Sequence, residues 1–297
     1  LYDPIRYFLN SPGKRIRPIL VIASAGASNN LKLSQVIYQA IAVEFLHNFT
    51  LIHDDIMDNA DIRHGKNTLH QKYDINTAIL AGDNLLALAF KSLNKNLIIN
   101  KDEVWNTFSE AVVTVCEGQS LDKEYENLSH VTLNDYFEMI YKKTAAMISA
   151  SCKIGALCSN APERRIKSLA SFGKNIGMAF QIQDDLLDMV GDDKKFGKAL
   201  GSDLIEGKKT FLLLTALKKA RGKDRRLLIE LIQNKGVKPS SIKKYFEIYS
   251  RLEVDIFAQE TIKFYIKKAL DGLNSLSDCI HKEFLINFAN QLLSRTH

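Results

Sequence analysis

Asp54-Asp55-Ile56-Met57-Asp58 returns 130 residues later as Asp184-Asp185-Leu186-Leu187-Asp188, and each copy closes a long apolar run with helical periodicity. At 100° per residue the three carboxylates of a D-D-x-x-D fall within a sector of about 100° on one helix face. They repel one another there, and at a helix C-terminus they also oppose the helix dipole. A single cluster of this kind reads as a solvated acidic turn. Two alike, each preceded by an uncharged stretch, call for a shared cation. Hard oxygen donors in this number suit Mg²⁺, with Mn²⁺ as the alternative, and Mg²⁺ commonly completes its shell with phosphate oxygens. The expectation is a metal-diphosphate site served by two helices.

The first run has Ser34 as its expected N-cap and a helix from about Gln35 to Asp58, roughly six turns. His47 lies seven residues before Asp54 and Glu44 ten, both within the carboxylate sector. A lone histidine is more often a satisfied core or surface residue, but this one shares a face with three aspartates, which favours a functional role. Upstream, Lys14 and Arg17 stand at i and i+3, so that one helical turn would point both the same way. By themselves they read as a solvated helix start. Asn59 to Thr68 is a polar loop whose Arg63, His64 and Lys66 could close over a diphosphate.

Further helices are expected at about 76–94 and 102–122, and from a Thr132 cap through Tyr136, Tyr141 and Lys142-Lys143-Thr144 to about Cys158. The small residues Ala145, Ala146, Ser149, Ala150 and Ser151 permit close helix packing around Lys143. Pro162 opens the second long run, from about Glu163 to Val190, with Gln181 three residues before Asp184 on the same face. The stretch Gly191–Gly207 reads as a phosphate-closing or disordered loop. Amphipathic helices fill the remainder, and no strand pattern of convincing length is found.

Composition narrows the class. Hydrophobic residues make up 46% and charged residues 25% of 297, with only five prolines and fifteen glycines, which favours long helices with short links. The net charge of +6 is spread over many helices, so nucleic acid is not the expected partner. No stretch nears the eighteen or so uncharged apolar residues of a membrane span, and the opening residues are no signal peptide. A soluble, cytoplasmic protein is expected. Cys116, Cys152, Cys158 and Cys279 show no C-x-x-C pairing and are expected as reduced core thiols, forming neither disulfide nor zinc site. The chain opens on leucine, and we expect residues upstream, Pro4–Leu9 being the end of a truncated first helix. Without a linker between the two halves, one all-α domain over 1–297, with both long helices facing a central cavity, is the simplest arrangement.

From Asp3 to about Arg295 the sequence resembles the trans-isoprenyl diphosphate synthases, the polyprenyl synthetase family. The likeness lies in Gly13-Lys14-Arg15-Ile16-Arg17-Pro18, the first D-D-x-x-D, Lys143-Thr144, Phe180-Gln181-Ile182-Gln183-Asp184-Asp185-Leu186-Leu187-Asp188, Gly197-Lys198 and Gly207-Lys208. It implies an isoprenoid-synthase-type helical bundle working as a homodimer. It also implies an allylic diphosphate held through Mg²⁺, with Asp54, Asp58 and Asp184 leading, Asp188 in the ligand set, and Asp55 and Asp185 in support. Arg63, Lys143, Thr144, Gln181, Lys198 and Lys208 would hold or orient its phosphates. Lys14, Arg17 and His47 would hold isopentenyl diphosphate, and an allylic cation would be attacked by that molecule's double bond.

Two positions refine the likeness. His64 stands where the family usually has a second arginine, one that normally contacts isopentenyl diphosphate. Phe49 and Thr50, five and four residues before Asp54, lie about 7 and 6 Å down the helix. A large residue at the fifth position blocks the family's product tunnel early, so Phe49 points to a C20 product ahead of C15, while small Thr50 leaves C30 to C40 open. His53-Asp54 would also suit an HD-type phosphohydrolase, but that leaves the second cluster idle. A terpene cyclase has no use for Lys14, Arg17 and His47. A non-catalytic subunit of a heteromeric synthase would not need both clusters intact.

Overall fold

In a computed structural model, residues 1–28, 33–96, 99–190 and 200–293 are described. The described chain is almost wholly helical: α1 (Tyr2–Leu9), α2 (Ile16–Ser28), α3 (Ile37–Met57), α4 (Leu69–Lys72), α5 (Ile75–Leu93), α6 (Lys101–Asn127), α7 (Leu133–Ile140), α8 (Ala146–Cys158) and α9 (Glu163–Val190). Then come α10 (Ser202–Ile205), α11 (Phe211–Lys219), α12 (Gly222–Gln233), α13 (Ile242–Arg251), α14 (Val254–Gly272) and α15 (Ile280–Leu293). The chain divides into two compact units, Leu1–Val112 with Met147–Ala170 and Leu273–Leu285, and Val113–Ala146 with Ser171–Gly272 and Ile286–His297. Among the described residues no helix is long and apolar enough to cross a membrane.

In the first unit, α3 packs along α5. Leu46, Ile52 and Leu85 are all but inaccessible, and burying each side chain contributes about 1.5–3 kcal/mol. Ile52 and Leu85 join Ile5, Phe8, Leu69, Ala78 and Ala81 in one cluster, with Phe45, Phe49 and Ile56 half-buried against it. This packing fixes which face of α3 is left for polar work. Asp74 starts α5, its carboxylate accepting from Thr77 N at 2.8 Å and Thr77 Oγ1 at 2.6 Å, which satisfies one of the amide donors orphaned at a helix start. The small-residue string of α8 does serve close packing, as Ser149 Oγ donates to Ala170 O at 2.8 Å. Cys152 and Cys158 are core thiols, the pKa of each pushed up to about 12 by burial.

Helix α3 begins at Ile37 rather than Gln35, with Val36 at its N-cap and no side-chain cap. Ser34 lies instead in a short 3-10 turn, Leu33–Gln35. The loop after the first cluster contains a small antiparallel hairpin, β1 (Ile62–Arg63) with β2 (Lys66–Asn67). His64 and Gly65 turn it at φ 51° and 75°, the double positive φ of a type I′ turn. Strands of two residues carry no alternation to read.

In the second unit, α7 starts with the expected Thr132 cap, in a reciprocal box with Asp135. The helix expected to run unbroken to Cys158 is interrupted: Tyr141–Ala145 forms a π-helical segment before α8. Gly118 of α6 and Gly177 of α9 lie against it, and a Cβ on either would come within 2.2 Å of Lys143 N or 2.4 Å of Ala145 Cα. Helix α9 runs over the residues expected. Cys116 is exposed, contrary to expectation.

Candidate active site

Helix α3 presents a basic pocket and an acidic cluster on one face. Arg17, from the first turn of α2, brings Nη1 to 2.9 Å from His47 Nε2. A guanidinium can only donate, so Nε2 accepts and the imidazole proton sits on Nδ1. Burial above all, then the cations Arg17, Arg63 and Arg15 with His64, hold the His47 pKa well below the usual histidine value. The ring is therefore neutral at pH 7. Arg17 against a neutral imidazole, with the charges of Arg63 and Arg15 near enough to act on it, makes an environment suited to an anion. Lys14 lies in the exposed loop before α2, which starts only at Ile16. Lys14 and Arg17 thus do not share a helical turn, as their spacing had suggested.

About 10 Å further along α3 lies the first acidic cluster. Asp55 is buried and accepts from Arg63 Nε at 2.7 Å, while Arg63 Nη2 stands 3.7 Å from Asp54 Oδ2. Burial raises the Asp55 pKa against the lowering influence of Arg63. Asp54 is half-exposed and Asp58, the C-cap residue, is exposed. The hairpin delivers Arg63, and it is pinned by Tyr7 Oη donating to Asn67 O at 2.9 Å and Lys66 Nζ to Asn10 O at 3.3 Å. His64 at the turn has its pKa lowered by partial burial and then by Arg63 and Arg15. Further back on α3, Phe49 stacks at a tilt on His53 with ring centroids 4.7 Å apart. Thr50 Oγ1 donates to His47 O at 2.8 Å, so its hydroxyl is spent within its own helix.

In the second unit a polar chain runs from the π segment to α9. Lys143 Nζ donates to Asp122 Oδ2 at 2.6 Å, and Thr144 Oγ1 to Gln181 Oε1 at 2.9 Å. Gln181 Nε2 in turn donates to Asp185 Oδ1 at 3.2 Å. A π-bulge often marks a functional position, and this one carries both Lys143 and Thr144. Asp185 also accepts from Tyr136 Oη at 2.7 Å and the Phe211 amide at 3.0 Å, yet burial still pushes its pKa up to about 6. Asp184 is half-exposed.

Asp188, expected among the metal ligands, has another occupation. Its oxygens accept from Ser202 N, Ser202 Oγ and Asp203 N at 3.1, 2.7 and 3.2 Å, fastening the start of α10. Lys208 pairs with Glu206 at 2.7 Å. Lys198 lies outside the described residues. Sequence reading missed Asp122, Tyr136 and Asp203, whose carboxyl is pushed well above its ordinary range by burial and by Asp188 and Asp185. The readable signal for Asp122 was Gly118, a glycine with no local reason to stand inside a 27-residue helix.

Among the described residues, no group of three or more His, Cys, Asp or Glu could hold a metal ion unaided. Mg²⁺ does not require one, since it is commonly held by one or two carboxylates plus substrate phosphates. The middle aspartate of each cluster is spent internally. Asp54 and Asp58 of the first unit are half-exposed and exposed, and Asp184 of the second, taken by itself, is half-exposed; in each unit these are hard oxygen donors of the type such an ion takes, so the residues fit it by donor chemistry.

Residues 1–249 match the family described as polyprenyl synthetase. The short chain isoprenyl diphosphate synthase of Methanocaldococcus jannaschii is 45% identical over 250 residues, covering 84% of this chain and 76% of that protein. The crystal structure of geranylgeranyl pyrophosphate synthetase from Pyrococcus horikoshii Ot3 superposes with a TM-score of 0.92 at 36% identity, over 99% of this chain and 90% of that one. A decaprenyl diphosphate synthase from Rhodobacter capsulatus reaches a TM-score of 0.91 at 27% identity, over 99% and 90%.

Proposed function

The chain belongs to the polyprenyl synthetase family, and from that premise we propose that it joins isopentenyl diphosphate head-to-tail, in trans geometry, to an allylic diphosphate, with a C20 product. One observation carries this: α3 bears an arginine-rich pocket and, two turns on, an aspartate cluster on the same face. Two opposite chemistries for handling diphosphate imply two diphosphate substrates, and two substrates imply joining. Incubating the purified protein with isopentenyl diphosphate and geranyl or farnesyl diphosphate tests it. Consumption of both with release of diphosphate is expected, and an enzyme that hydrolyses or cyclises the allylic substrate alone would refute it.

In this reading residues 1–297 form one catalytic domain. Asp54, Asp58 and Asp184 would hold Mg²⁺ or Mn²⁺, which when bound would supply positive charge toward the diphosphate leaving group. Asp55 and Asp185 orient their neighbours, and Asp188 secures α10. Arg63, Lys143, Thr144, Gln181, Lys208 and Lys198 bind or position phosphate oxygens, stabilising the leaving group. Lys14, Arg17, His47 and His64 orient isopentenyl diphosphate so that its double bond bonds to the allylic carbon, and the proton then lost goes to the departing diphosphate. Chelation with EDTA is expected to stop turnover, and added Mg²⁺ to restore it. A homodimer in the cytoplasm completes the proposal, with light scattering and cell fractionation as the checks.

His64 should make the affinity for isopentenyl diphosphate depend on pH. Its lowered pKa leaves it uncharged from pH 7 upward, so it contributes a cation only in acid. His64→Arg is expected to lower KM for isopentenyl diphosphate at pH 8 by about tenfold, one charge-assisted contact, and by progressively less as the pH is taken down through the lowered His64 pKa. An unchanged KM at pH 8 would count against His64 as a contact.

Product length is assigned to Phe49, because the fold is shared with a relative named for decaprenyl diphosphate and so does not choose a length. Phe49 is half-buried beside His53. Phe49→Ala removes a ring and leaves room for about one further C5 unit, so chromatography of the products should show C25 and longer species. An unaltered distribution would transfer the limit to another residue.

A further inference from the structure

The stretch Lys14-Arg15-Ile16-Arg17 holds three cations, and the middle one is bonded away from the phosphate-binding roles given to the other two. Arg15 takes φ 47°, a left-handed turn that is uncommon for an arginine. The turn sets it apart from its neighbours. Its Nη1 donates to Glu44 Oε1 of α3. Its Nη2 donates to Leu9 O at 2.6 Å and Ser11 O at 3.1 Å, the carbonyls at the end of α1 and the start of the loop. Its own carbonyl accepts from Ile19 N at 3.2 Å, opening α2. On the far side, Glu44 Oε1 also accepts from Asn48 Nδ2 at 3.0 Å. Glu44 is 14% exposed, so water screens the contact only partly.

We propose that Arg15 is a positioning residue: a strap that binds the end of α1, the loop of Lys14 and the first turn of α2 to Glu44, one turn before His47. Without it, Lys14 would ride on a loop lacking this guanidinium fork, and Arg17 would lose the fixed helix start that aims it at His47 Nε2. The planar fork and the ionic pairing with Glu44 are both needed. Three acceptors on two nitrogens need the guanidinium geometry, which an ammonium on a flexible stem does not supply. The inference rests on Lys14, Arg17 and His47 receiving isopentenyl diphosphate.

The test is steady-state kinetics with both substrates varied, on Arg15→Gln, Arg15→Lys, Glu44→Gln and the Arg15→Gln/Glu44→Gln double variant. Each single variant is expected to raise KM for isopentenyl diphosphate by about tenfold, with kcat and KM for the allylic diphosphate within about twofold of wild type. The double variant should be no worse than the worse single one, because both break the same strap. Arg15→Lys restoring the wild-type KM would mean that charge alone suffices, and would overturn the proposal. So would additive effects, or equal rises in both KM values. Glu44→Gln keeps shape and volume, so it remains informative if Arg15→Gln folds poorly. Failure of the wild type to consume isopentenyl diphosphate would refute the proposed function and the strap with it; wild-type turnover with unmoved KM values in the variants would refute the strap alone.

Discussion

Asp54→Asn is expected to lower kcat by about 100- to 1,000-fold, the size of effect seen when one preorganised charge-stabilising group is lost from a site, about 2.7–4 kcal/mol of barrier. The substitution keeps the volume and removes one negative charge from a carboxylate that α3 leaves half-exposed. Asp184→Asn should do the same, for the same reason. Asp188→Asn is the instructive contrast. Its carboxylate accepts two backbone amides and a hydroxyl, so the charge supports structure, and its loss should appear first as about 1–3 kcal/mol of stability. Kinetics at saturating substrate and thermal melts separate the cases. An Asp54→Asn enzyme within about tenfold of wild type would remove Asp54 from the metal-binding set.

Gly118→Ala is expected to be a damaging single methyl addition to the second unit, because it strikes the segment that carries Lys143 and Thr144. The new carbon would come within 2.2 Å of Lys143 N and 2.6 Å of both Lys142 C and Lys143 Cα. These are backbone atoms, so no side chain can swing aside to make room. Either α6 or the π segment must move, at a cost of about 1–3 kcal/mol for overpacking, lowering Tm by about 2–4 °C per kcal/mol. The movement falls on Lys143 and Thr144, where a displacement of about 1 Å is enough to cost about 100-fold in rate. Gly177→Ala approaches the same segment through Ala145 Cα at 2.4 Å and should act in parallel. Wild-type melting and wild-type turnover in Gly118→Ala together would show that the π segment does not constrain the site.

Much of the molecule was legible because its signals are local. The bounds of α9, the Thr132 cap and the paired acidic clusters follow from periodicity, capping chemistry and residue type, which act over a few residues. The same holds for His47, which counting along a helix put on the face of Asp54. Other features were illegible because no local rule contains them. The π segment lies against two glycines from helices distant in sequence, and Ile62–Asn67 pairs too briefly to show alternation. Lys14 and Arg17 share a spacing that implies one helical turn, and a single positive φ at Arg15 cancels it.

The sequence alone determined the helical class, the two carboxylate triplets and the basic residues ahead of the first, because charge repulsion and helical geometry are settled within each segment. Only the tertiary structure decided which donors each carboxylate meets. Asp55 and Asp185 are buried and spoken for, Asp188 caps another helix, and Asp54, Asp58 and Asp184 are left more exposed. The physical reason is that a carboxylate's role depends on the donors brought to it, and those donors, Arg63, Tyr136, Phe211 and Ser202, come from 8 to 49 residues away.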